Sequence, residues 1–286
     1  MNNTPSAGAG ALPRLASLYE RGEPIVMLTA YDYPSARIAV AGGVDVVLVG
    51  DSAAMTVLGY SSTREISIDE LLMLTRAVRR AVHDVPVIGD LPFATYEESD
   101  ELAVATARRF AHEAGCEAVK LEGAGEVLPR IRAIIADGIP VIGHVGLLPQ
   151  SVLTRDGYRA KGRDAEQALA IIADAEALDA VGCAALVVEA VPAEVTAMIT
   201  TRVAMPVIGI GAGADTGGQV LVYHDLLGFT EGKVPRFVKQ YAAAHDDLAA
   251  AVRAWAADVR ARRFPGEGHT YGIPADVLAE IRASLG

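Results

Sequence analysis

Short apolar runs alternate with longer amphipathic segments along most of the chain. The runs are continuously apolar, as expected of strands that are buried on both faces of a parallel sheet. Eight runs are predicted to be strands, at 25–30, 45–50, 85–90, 117–122, 139–144, 184–189, 205–211 and 219–225. Intervening segments with helical periodicity include 67–82, 98–114, 164–181 and 192–201. The pattern indicates a repeated strand–helix unit.

Internal echoes support this repeat. The runs "VPVIGD", "IPVIGH" and "MPVIGI" are near-copies of one another. The stretches "AGCEAVKLE" and "AVGCAALVVE" place Glu122 and Glu189 at the same offset after a cysteine. Eight such units in 286 residues predict an α/β fold of the closed (β/α)8 TIM-barrel type. An open, doubly wound parallel sheet is the alternative.

The segments outside the repeat divide the chain into three predicted parts. Residues 1–24 form an N-terminal segment with a short helix at 12–21, and residues 25–233 form the barrel, which is the catalytic domain. Residues 234–286 form a C-terminal helical extension with a long Ala-rich helix at 234–263 and a terminal helix. This extension is expected to pack on the barrel or on a neighbouring subunit.

Composition and charge narrow the class of protein. The chain is 51% hydrophobic but only 5% aromatic, which favours a core of aliphatic side chains. Its net charge of −11 argues against nucleic acid or an anionic membrane as the main partner. Cys116 and Cys183 are too few for a disulfide framework and are expected to be buried. The sequence shows no secretory leader and no long apolar span, so a cytoplasmic protein is expected.

Polar residues recur where predicted strands end. Five of them end or directly follow five consecutive apolar runs: Asp51, Asp90, Glu122, His144 and Glu189. In a barrel these strand ends converge on one face, here called the mouth, which carries the active site. Lys120 precedes Glu122 by two positions and points into the same mouth, because side chains alternate along a strand.

The charges in the mouth indicate a cation. Its four carboxylates and Lys120 carry a net charge of −3 when all are ionised. Two like charges about 5 Å apart repel by roughly 3 kcal/mol at an effective dielectric constant near 20. The cluster is therefore expected to hold protons or to bind a cation, and carboxylate ligands favour Mg²⁺. Lys120 is expected to bind an anionic group of a substrate.

Three further motifs are weaker candidates. The stretch "GIGAGAD" at 209–215 fits G-x-G-x-x-A, but a strand follows it, which favours a tight turn over a dinucleotide site. His224 and Asp225 end the eighth predicted strand and are expected to be a hydrogen-bonded structural pair. Segment 145–163 is either a lid over the mouth or a solvated loop. It carries four basic residues: Arg155, Arg159, Lys161 and Arg163.

Seven motifs occur together and in order: "MLTAYDYPSA", "LVGDSAAM", "DLPF", "VKLEG", "GHVGLLPQSV", "GYRAKGR" and "VIGIGAG". The ordered set resembles the ketopantoate hydroxymethyltransferase family, also called 3-methyl-2-oxobutanoate hydroxymethyltransferases, over about residues 13–272. The stretches "DSAAM", "EGAGE" and "VYHD" depart slightly from the family pattern. None of these departures changes a charged position, so they bear on loop shape and folate contacts rather than on the chemistry.

The resemblance implies a barrel of the phosphoenolpyruvate/pyruvate-binding type and a Mg²⁺-dependent enzyme, in most cases a homodecamer. It implies transfer of a one-carbon unit from 5,10-methylenetetrahydrofolate to 3-methyl-2-oxobutanoate, giving 2-dehydropantoate in pantothenate biosynthesis. By position in the matching motifs, the implied metal ligands are Asp51, Asp90 and Glu122. The implied substrate contacts are Asp51, Ser52, Asp90 and Lys120, and the implied catalytic base is Glu189.

These residue types suit that chemistry. Mg²⁺ chelated by a 2-oxo acid stabilises the enolate that forms when C3 loses its proton. Glu189, on a strand removed from the three ligands, is placed to take this proton. His144 is expected either to hydrogen-bond the new oxygen or to be structural. A Mg²⁺-dependent lyase or mutase acting on another 2-oxo acid is the alternative enzyme. A non-catalytic 2-oxo acid sensor is disfavoured, because binding alone needs no base.

Overall fold

The computed structural model describes residues 12–152, 159–230, 232 and 234–286. Eight parallel strands each pair with the next along the chain, and the eighth pairs with the first. The strands are β1 (Ile25–Thr29), β2 (Val46–Val49), β3 (Val87–Asp90), β4 (Ala118–Lys120), β5 (Val141–Gly146), β6 (Ala185–Glu189), β7 (Val207–Ile210) and β8 (Gly218–Leu221). The closed barrel confirms the predicted (β/α)8 fold and rules out the open sheet.

Helices precede, surround and follow the barrel. The described α-helices are α1 (Pro13–Glu20), α2 (Tyr33–Ala41), α3 (Ala53–Thr56), α4 (Ile68–Ala81), α5 (Asp100–Arg108), α6 (Leu128–Ala136), α7 (Ala165–Val181), α8 (Ala193–Thr200), α9 (Tyr223–Leu227), α10 (Ala244–Arg260) and α11 (Ala275–Ser284). Residues 211–217 between β7 and β8 form no helix, as predicted for the turn after "GIGAG". A capping box starts α4, in which the Ser67 N–H donates to the Glu70 carboxylate at 2.8 Å.

The strand register places polar side chains above an apolar barrel interior. Every strand contributes aliphatic side chains to one interior cluster, which Leu12 and Leu15 join from the N-terminal segment. In three strands this layer consists of Ile88, Ala118 and Val187. Two positions further along, the same strands present Asp90, Lys120 and Glu189, because residues two apart share a face. The mouth is therefore a polar layer on a packed hydrophobic floor.

The end of the barrel differs from the prediction. Strand β8 ends before His224 and Asp225, which lie in α9. The Tyr223 N–H donates to the Thr29 hydroxyl at 2.8 Å, which takes this donor out of the strand pairing. Asp225 accepts a hydrogen bond from the Thr230 hydroxyl at 2.7 Å. The prediction that His224 and Asp225 end the eighth strand is therefore wrong, and His224 Nδ1 is buried without a hydrogen bond.

The C-terminal extension also differs from the prediction. The long helix is α10, which is shorter than the predicted 234–263. Backbone N–H groups just before α10 and in its first turn donate hydrogen bonds to the C-terminal end of α9. The Tyr241 N–H donates to Leu226 O at 2.8 Å, and the His245 N–H donates to Gly228 O at 3.0 Å. No residue of α10 is buried. Four of its large apolar side chains are exposed: Leu248, Val252, Trp255 and Val259.

Other predictions concern the cysteines, segment 145–163 and membrane-spanning helices. Cys116 and Cys183 are buried free thiols, as predicted. Residues 153–158 of the predicted lid or loop, with Arg155, lie outside the described part of the chain. Among the described helices, none is long and apolar enough to cross a membrane.

Candidate active site

A buried ion pair joins the ends of β3 and β4. Asp90 and Lys120 are register partners in these neighbouring strands. Lys120 Nζ lies 2.8 Å from Asp90 Oδ1, and only 6% of the lysine side chain and 1% of the aspartate side chain are exposed. A buried charge without a partner is strongly destabilising. The neighbouring strand therefore supplies the partner that the buried ammonium needs.

Asp51 and Ser52 follow β2 and lie next to this pair. The Asp51 N–H donates to Asp90 Oδ2 at 3.1 Å, which brings the two aspartates together. The Ser52 hydroxyl lies 2.8 Å from the Tyr31 hydroxyl. Burial raises the pKa of Tyr31 to about 12, so its phenol stays neutral and fixes the serine by a hydrogen bond. Both predicted residues of this loop are therefore part of the mouth.

Glu122 lies two residues beyond the end of β4, although the apolar run predicts a strand that includes it. The backbone still follows β5, because the Gly123 N–H donates to His144 O at 2.9 Å. Glu122 Oε2 accepts a hydrogen bond from the Gln150 N–H at 3.0 Å. Its other oxygen, Oε1, is buried and has no hydrogen bond. One carboxylate oxygen is thus fixed, and the other is available to a ligand.

His144 lies between the ion pair and Glu189. Its Nδ1 is 3.4 Å from Lys120 Nζ, and its Nε2 is 3.3 Å from Glu189 Oε2. Because an ammonium only donates hydrogen bonds, Nδ1 must act as the acceptor. The imidazole proton then belongs on Nε2, which lies near the Glu189 carboxylate but makes no hydrogen bond. His144 therefore lies as a neutral side chain between the lysine and the glutamate, which is compatible with either of the two roles expected for it.

The backbone holds Glu189 at the end of β6. Its register partner Gly146 has φ +96°, and a Cβ at that position would collide with the Glu189 carbonyl oxygen. The following Ala190 has φ +50°, a left-handed conformation that costs about 1–3 kcal/mol in a residue other than glycine. The Ala190 N–H donates to Ile210 O at 2.8 Å, and its carbonyl accepts from the Lys161 N–H at 2.9 Å. These bonds hold the strained turn that follows Glu189.

Burial raises the pKa values of Asp51, Glu122 and Glu189 in the mouth. Burial, and next the charge of Asp90, raises the pKa of Asp51 to about 7. Burial raises the pKa of Glu189 to about 7 as well, although Lys120 acts in the opposite direction. The pKa of Glu122 is raised well above its ordinary value, mainly by burial. The mouth therefore holds protons more strongly than exposed carboxylates do, as its crowded negative charge predicts.

The pKa values of Lys120 and His144 are shifted in opposite directions. Burial alone would lower the pKa of Lys120, but the charges of Asp90, Glu122 and Asp51 outweigh it and raise this pKa. Burial and the charge of Lys120 lower the pKa of His144 well below its ordinary value. Lys120 is therefore a permanent cation in the mouth, and His144 is neutral near pH 7.

The sequence does not reveal two residues that organise the mouth. The Gln150 amide nitrogen donates to Asp51 Oδ2 at 3.0 Å. The Tyr96 hydroxyl donates to Gln150 Oε1 at 2.7 Å and accepts from the Glu122 N–H at 3.3 Å. Both residues lie in loops and have no periodic signal. Their one clue is position, since Gln150 lies in the motif "GHVGLLPQSV" and Tyr96 follows the motif "DLPF".

The donor set fits a hard divalent cation. As the side chains stand, no three acidic, histidine or cysteine side chains of the described residues are spaced to hold a metal ion. Lys120 contacts Asp90 Oδ1, and Gln150 bridges Asp51 and Glu122. Even so, Glu122 Oε1 is buried without a hydrogen bond, and Asp90 Oδ1 is buried against Lys120 Nζ. Mg²⁺ needs only one or two carboxylates when substrate and water supply its other oxygens, so these oxygens suit it.

Comparisons of sequence identify a family. A family model described as ketopantoate hydroxymethyltransferase matches residues 10–267. A 3-methyl-2-oxobutanoate hydroxymethyltransferase of Geobacillus kaustophilus (strain HTA426) is 48% identical over 252 residues, which cover 88% of this chain and 90% of that protein. The enzyme of the same name from Shouchella clausii (strain KSM-K16) is 47% identical over 250 residues, which cover 87% of this chain and 90% of that protein.

Comparisons of structure support the fold alone. A 2,3-dimethylmalate lyase of the PEP mutase/isocitrate lyase superfamily has a TM-score of 0.55 at 17% identity and covers 96% of this chain and 99% of its own. A phosphonopyruvate hydrolase in complex with oxalate and Mg²⁺ has a TM-score of 0.59 at 13% identity, covering 96% of this chain and 95% of its own. Enzymes with different reactions thus share this barrel, so the fold does not decide the reaction.

Proposed function

Because the chain belongs to the ketopantoate hydroxymethyltransferase family, we propose that the mouth described above carries out the family's reaction. In this reaction a hydroxymethyl group derived from 5,10-methylenetetrahydrofolate is added to 3-methyl-2-oxobutanoate. The product is 2-dehydropantoate, an intermediate of pantothenate and coenzyme A biosynthesis. The observation that carries the proposal is the buried Lys120–Asp90 pair within reach of a separate carboxyl group, Glu189, through His144.

Asp51, Asp90 and Glu122 would hold the divalent cation, which we propose to be Mg²⁺. When bound, the cation supplies Lewis-acid stabilisation of the negative charge that develops on the keto oxygen. The support is chemical: all three side chains offer only oxygen, and Glu122 Oε1 is buried without a hydrogen bond. Such groups are otherwise costly to bury.

Lys120 and Ser52 would bind the carboxylate of the 2-oxo acid. Lys120 is the buried cation of the mouth, and its ammonium has three donors, of which Asp90 and His144 engage two. The Ser52 hydroxyl is fixed by Tyr31 and can donate to an anion beside Asp51. Bound in this way, the substrate would be oriented with C3 toward Glu189.

Glu189 would act as the general base. It must lose its own proton before it takes the proton from C3, and its raised pKa of about 7 makes it a stronger base than an exposed glutamate. His144 Nε2 lies 3.3 Å from Glu189 Oε2 without a hydrogen bond between them, and a proton on this nitrogen would favour the ionised carboxylate electrostatically. The C3 carbon, freed of its proton, would then bond to the methylene carbon of the folate. The two bonds from that carbon to the folate nitrogens break, water supplies the hydroxyl oxygen, and tetrahydrofolate leaves with the protons from C3 and from the water on its nitrogens.

The direct test of the proposed function is a consumption assay. The purified protein should consume 3-methyl-2-oxobutanoate only when both 5,10-methylenetetrahydrofolate and Mg²⁺ are present. Consumption that does not depend on folate would indicate the alternative, a lyase or mutase acting on a 2-oxo acid.

We propose that the chain self-associates, as expected of a homodecamer in the cytoplasm. The support is the exposed apolar stripe of α10, formed by Leu248, Val252, Trp255 and Val259. These residues follow one another at intervals of four, three and four, so they share one helix face. Light scattering measures the mass directly, and a monomer of 29.8 kDa would contradict self-association.

Replacing Lys120 should mainly weaken substrate binding. Lys120→Ala removes the cation that pairs with the substrate carboxylate. Hydrogen bonds to charged groups contribute roughly 1.5–3 kcal/mol, so the dissociation constant of 3-methyl-2-oxobutanoate should rise about ten- to a hundredfold. Calorimetry with Mg²⁺ present measures this constant.

The matched control for this test is Lys239→Ala. Lys239 is exposed and contacts the Tyr241 ring in the C-terminal extension. The substitution Lys239→Ala removes the same charge outside the mouth, so the dissociation constant of 3-methyl-2-oxobutanoate should stay at the wild-type value. If Lys120→Ala binds the 2-oxo acid as the control does, Lys120 has no role in binding.

A further inference from the structure

One buried side chain in the mouth has no part in the proposed chemistry. Gln150 is 2% exposed and lies in the 3₁₀ turn Pro149–Ser151 that follows β5. The sequence assigns it no role. A buried amide needs partners for two donors and for its oxygen, so its contacts indicate what it does.

The contacts of Gln150 fix the orientation of its amide. Its Nε2 donates to Asp51 Oδ2 at 3.0 Å and to Leu91 O at 2.9 Å. Because a carbonyl oxygen only accepts hydrogen bonds, the group facing Leu91 must be the NH₂. Gln150 Oε1 accepts from the Tyr96 hydroxyl at 2.7 Å. The amide is therefore held at both ends and directs one donor at Asp51.

The backbone of Gln150 is fixed as well. Its N–H donates to Glu122 Oε2 at 3.0 Å, and its carbonyl accepts from Arg64 Nη1 at 2.9 Å. Arg64 itself lies over the Phe93 ring, 3.6 Å from its centre. One residue thus contacts Asp51 through its side chain and Glu122 through its main chain.

We infer that Gln150 is a positioning residue that fixes one oxygen of Asp51 and one of Glu122, so that the second oxygen of each faces the cation. The unbonded, buried Glu122 Oε1 is the observation that supports this division of the carboxylate oxygens. The inference rests on the proposed function, because it assumes that these acids bind a divalent ion.

A neutral amide suits this task better than a charged group. The mouth already contains four carboxyl groups and the ammonium of Lys120. A glutamate at position 150 would add negative charge and remove both donors. A lysine would compete with the cation for the same carboxylates. An amide supplies hydrogen-bond donors without neutralising the negative charge of the carboxylates that attracts the metal ion.

The test measures binding of Mn²⁺, which gives a paramagnetic resonance signal when free in solution. Gln150→Met keeps the length of the side chain but removes its donors and its acceptor. Loss of a partner that orients a metal ligand typically weakens metal binding about 10- to 100-fold, so the Mn²⁺ dissociation constant should rise by that factor. Tyr96→Phe removes the hydroxyl that holds Gln150 Oε1 and should raise the constant less, in the same direction.

The control separates positioning from stability. Thr75→Ala removes a buried methyl group and a hydroxyl that donates to Leu71 O within α4, and it leaves a cavity. It should lower the unfolding temperature and leave Mn²⁺ binding unchanged. Unchanged Mn²⁺ binding in Gln150→Met, with a lowered unfolding temperature, would overturn the inference.

If Gln150→Met does not fold, Tyr96→Phe decides the question. A raised constant in this variant supports the inference, and an unchanged constant overturns it. A wild-type protein that does not bind Mn²⁺ would instead refute the metal site of the proposed function, and the inference would fail with it.

Discussion

Glu189→Gln is expected to slow exchange of the C3 proton of 3-methyl-2-oxobutanoate by about 10²- to 10⁴-fold, the usual effect of losing a general base. The exchange is measured in D₂O with Mg²⁺ and without folate. Under these conditions proton removal is the only chemical step, so folate binding and product release do not affect the rate. Glutamine keeps the size of the side chain and a carbonyl oxygen near His144 Nε2, but it does not accept the proton.

The pH dependence of the same exchange has a predicted sign. Burial raises the pKa of Glu189 to about 7, and only the ionised carboxylate accepts a proton. The wild-type rate should therefore rise as the pH increases from about 6 to 8 and then level off. The residual rate of Glu189→Gln should lack this rise.

Glu176→Gln is the matched control for the base. Glu176 lies on α7 and pairs with Arg202 at the surface. The change is chemically identical but lies away from the mouth, so exchange should continue at the wild-type rate. Exchange at that rate in Glu189→Gln would assign the base to another residue, and His144 would be tested first.

Asp90→Ala is expected to lower Mg²⁺ affinity and activity together. The change removes a proposed ligand and also leaves Lys120 without its 2.8 Å partner. Changes that only disturb a ligand's orientation cost about 10- to 100-fold in affinity, so loss of a ligand should cost at least about 100-fold. Removing one partner of a buried ion pair should also lower the free energy of unfolding by about 3–5 kcal/mol.

The control for Asp90 is Glu101→Ala on the exposed surface of α5, which follows the same strand. Calorimetry gives the Mg²⁺ affinity, and activity is measured over a range of Mg²⁺ concentrations. Wild-type activity of Asp90→Ala at limiting Mg²⁺ would show that Asp90 is not a ligand. If Asp90→Ala is less stable but binds Mg²⁺ with wild-type affinity, the role of Asp90 is to pair with Lys120 and not to bind the metal ion.

Much of the barrel follows from the hydrophobic pattern, because strands buried on both faces give continuous apolar runs. The hydrophobic pattern does not predict the ends of strands and helices that are set by tertiary contacts. The end of β8 depends on a bond from the Tyr223 N–H to Thr29, nearly two hundred residues away. The start of α10 depends on bonds to Leu226 and Gly228. These contacts leave no periodic trace in the sequence.

The site is predictable only in part, for the same reason. Alternation along strands places Lys120 in the mouth, but the sequence alone suggests Glu122 as its neighbour. The ion pair actually forms across the sheet with Asp90, its register partner. Gln150 and Tyr96 are in loops whose course the pattern does not describe. Their importance emerges only from the distances to Asp51 and Glu122.

The most direct measurement follows the one-carbon unit itself. Protein, Mg²⁺ and 3-methyl-2-oxobutanoate are mixed with tetrahydrofolate that carries a ¹³C-labelled methylene group, and the products are observed by nuclear magnetic resonance. The proposed function predicts that the label appears as the hydroxymethyl carbon of 2-dehydropantoate, and that Glu189→Gln and the omission of Mg²⁺ each abolish its appearance. Cleavage or rearrangement of the 2-oxo acid with the label left on the folate would contradict the proposed function.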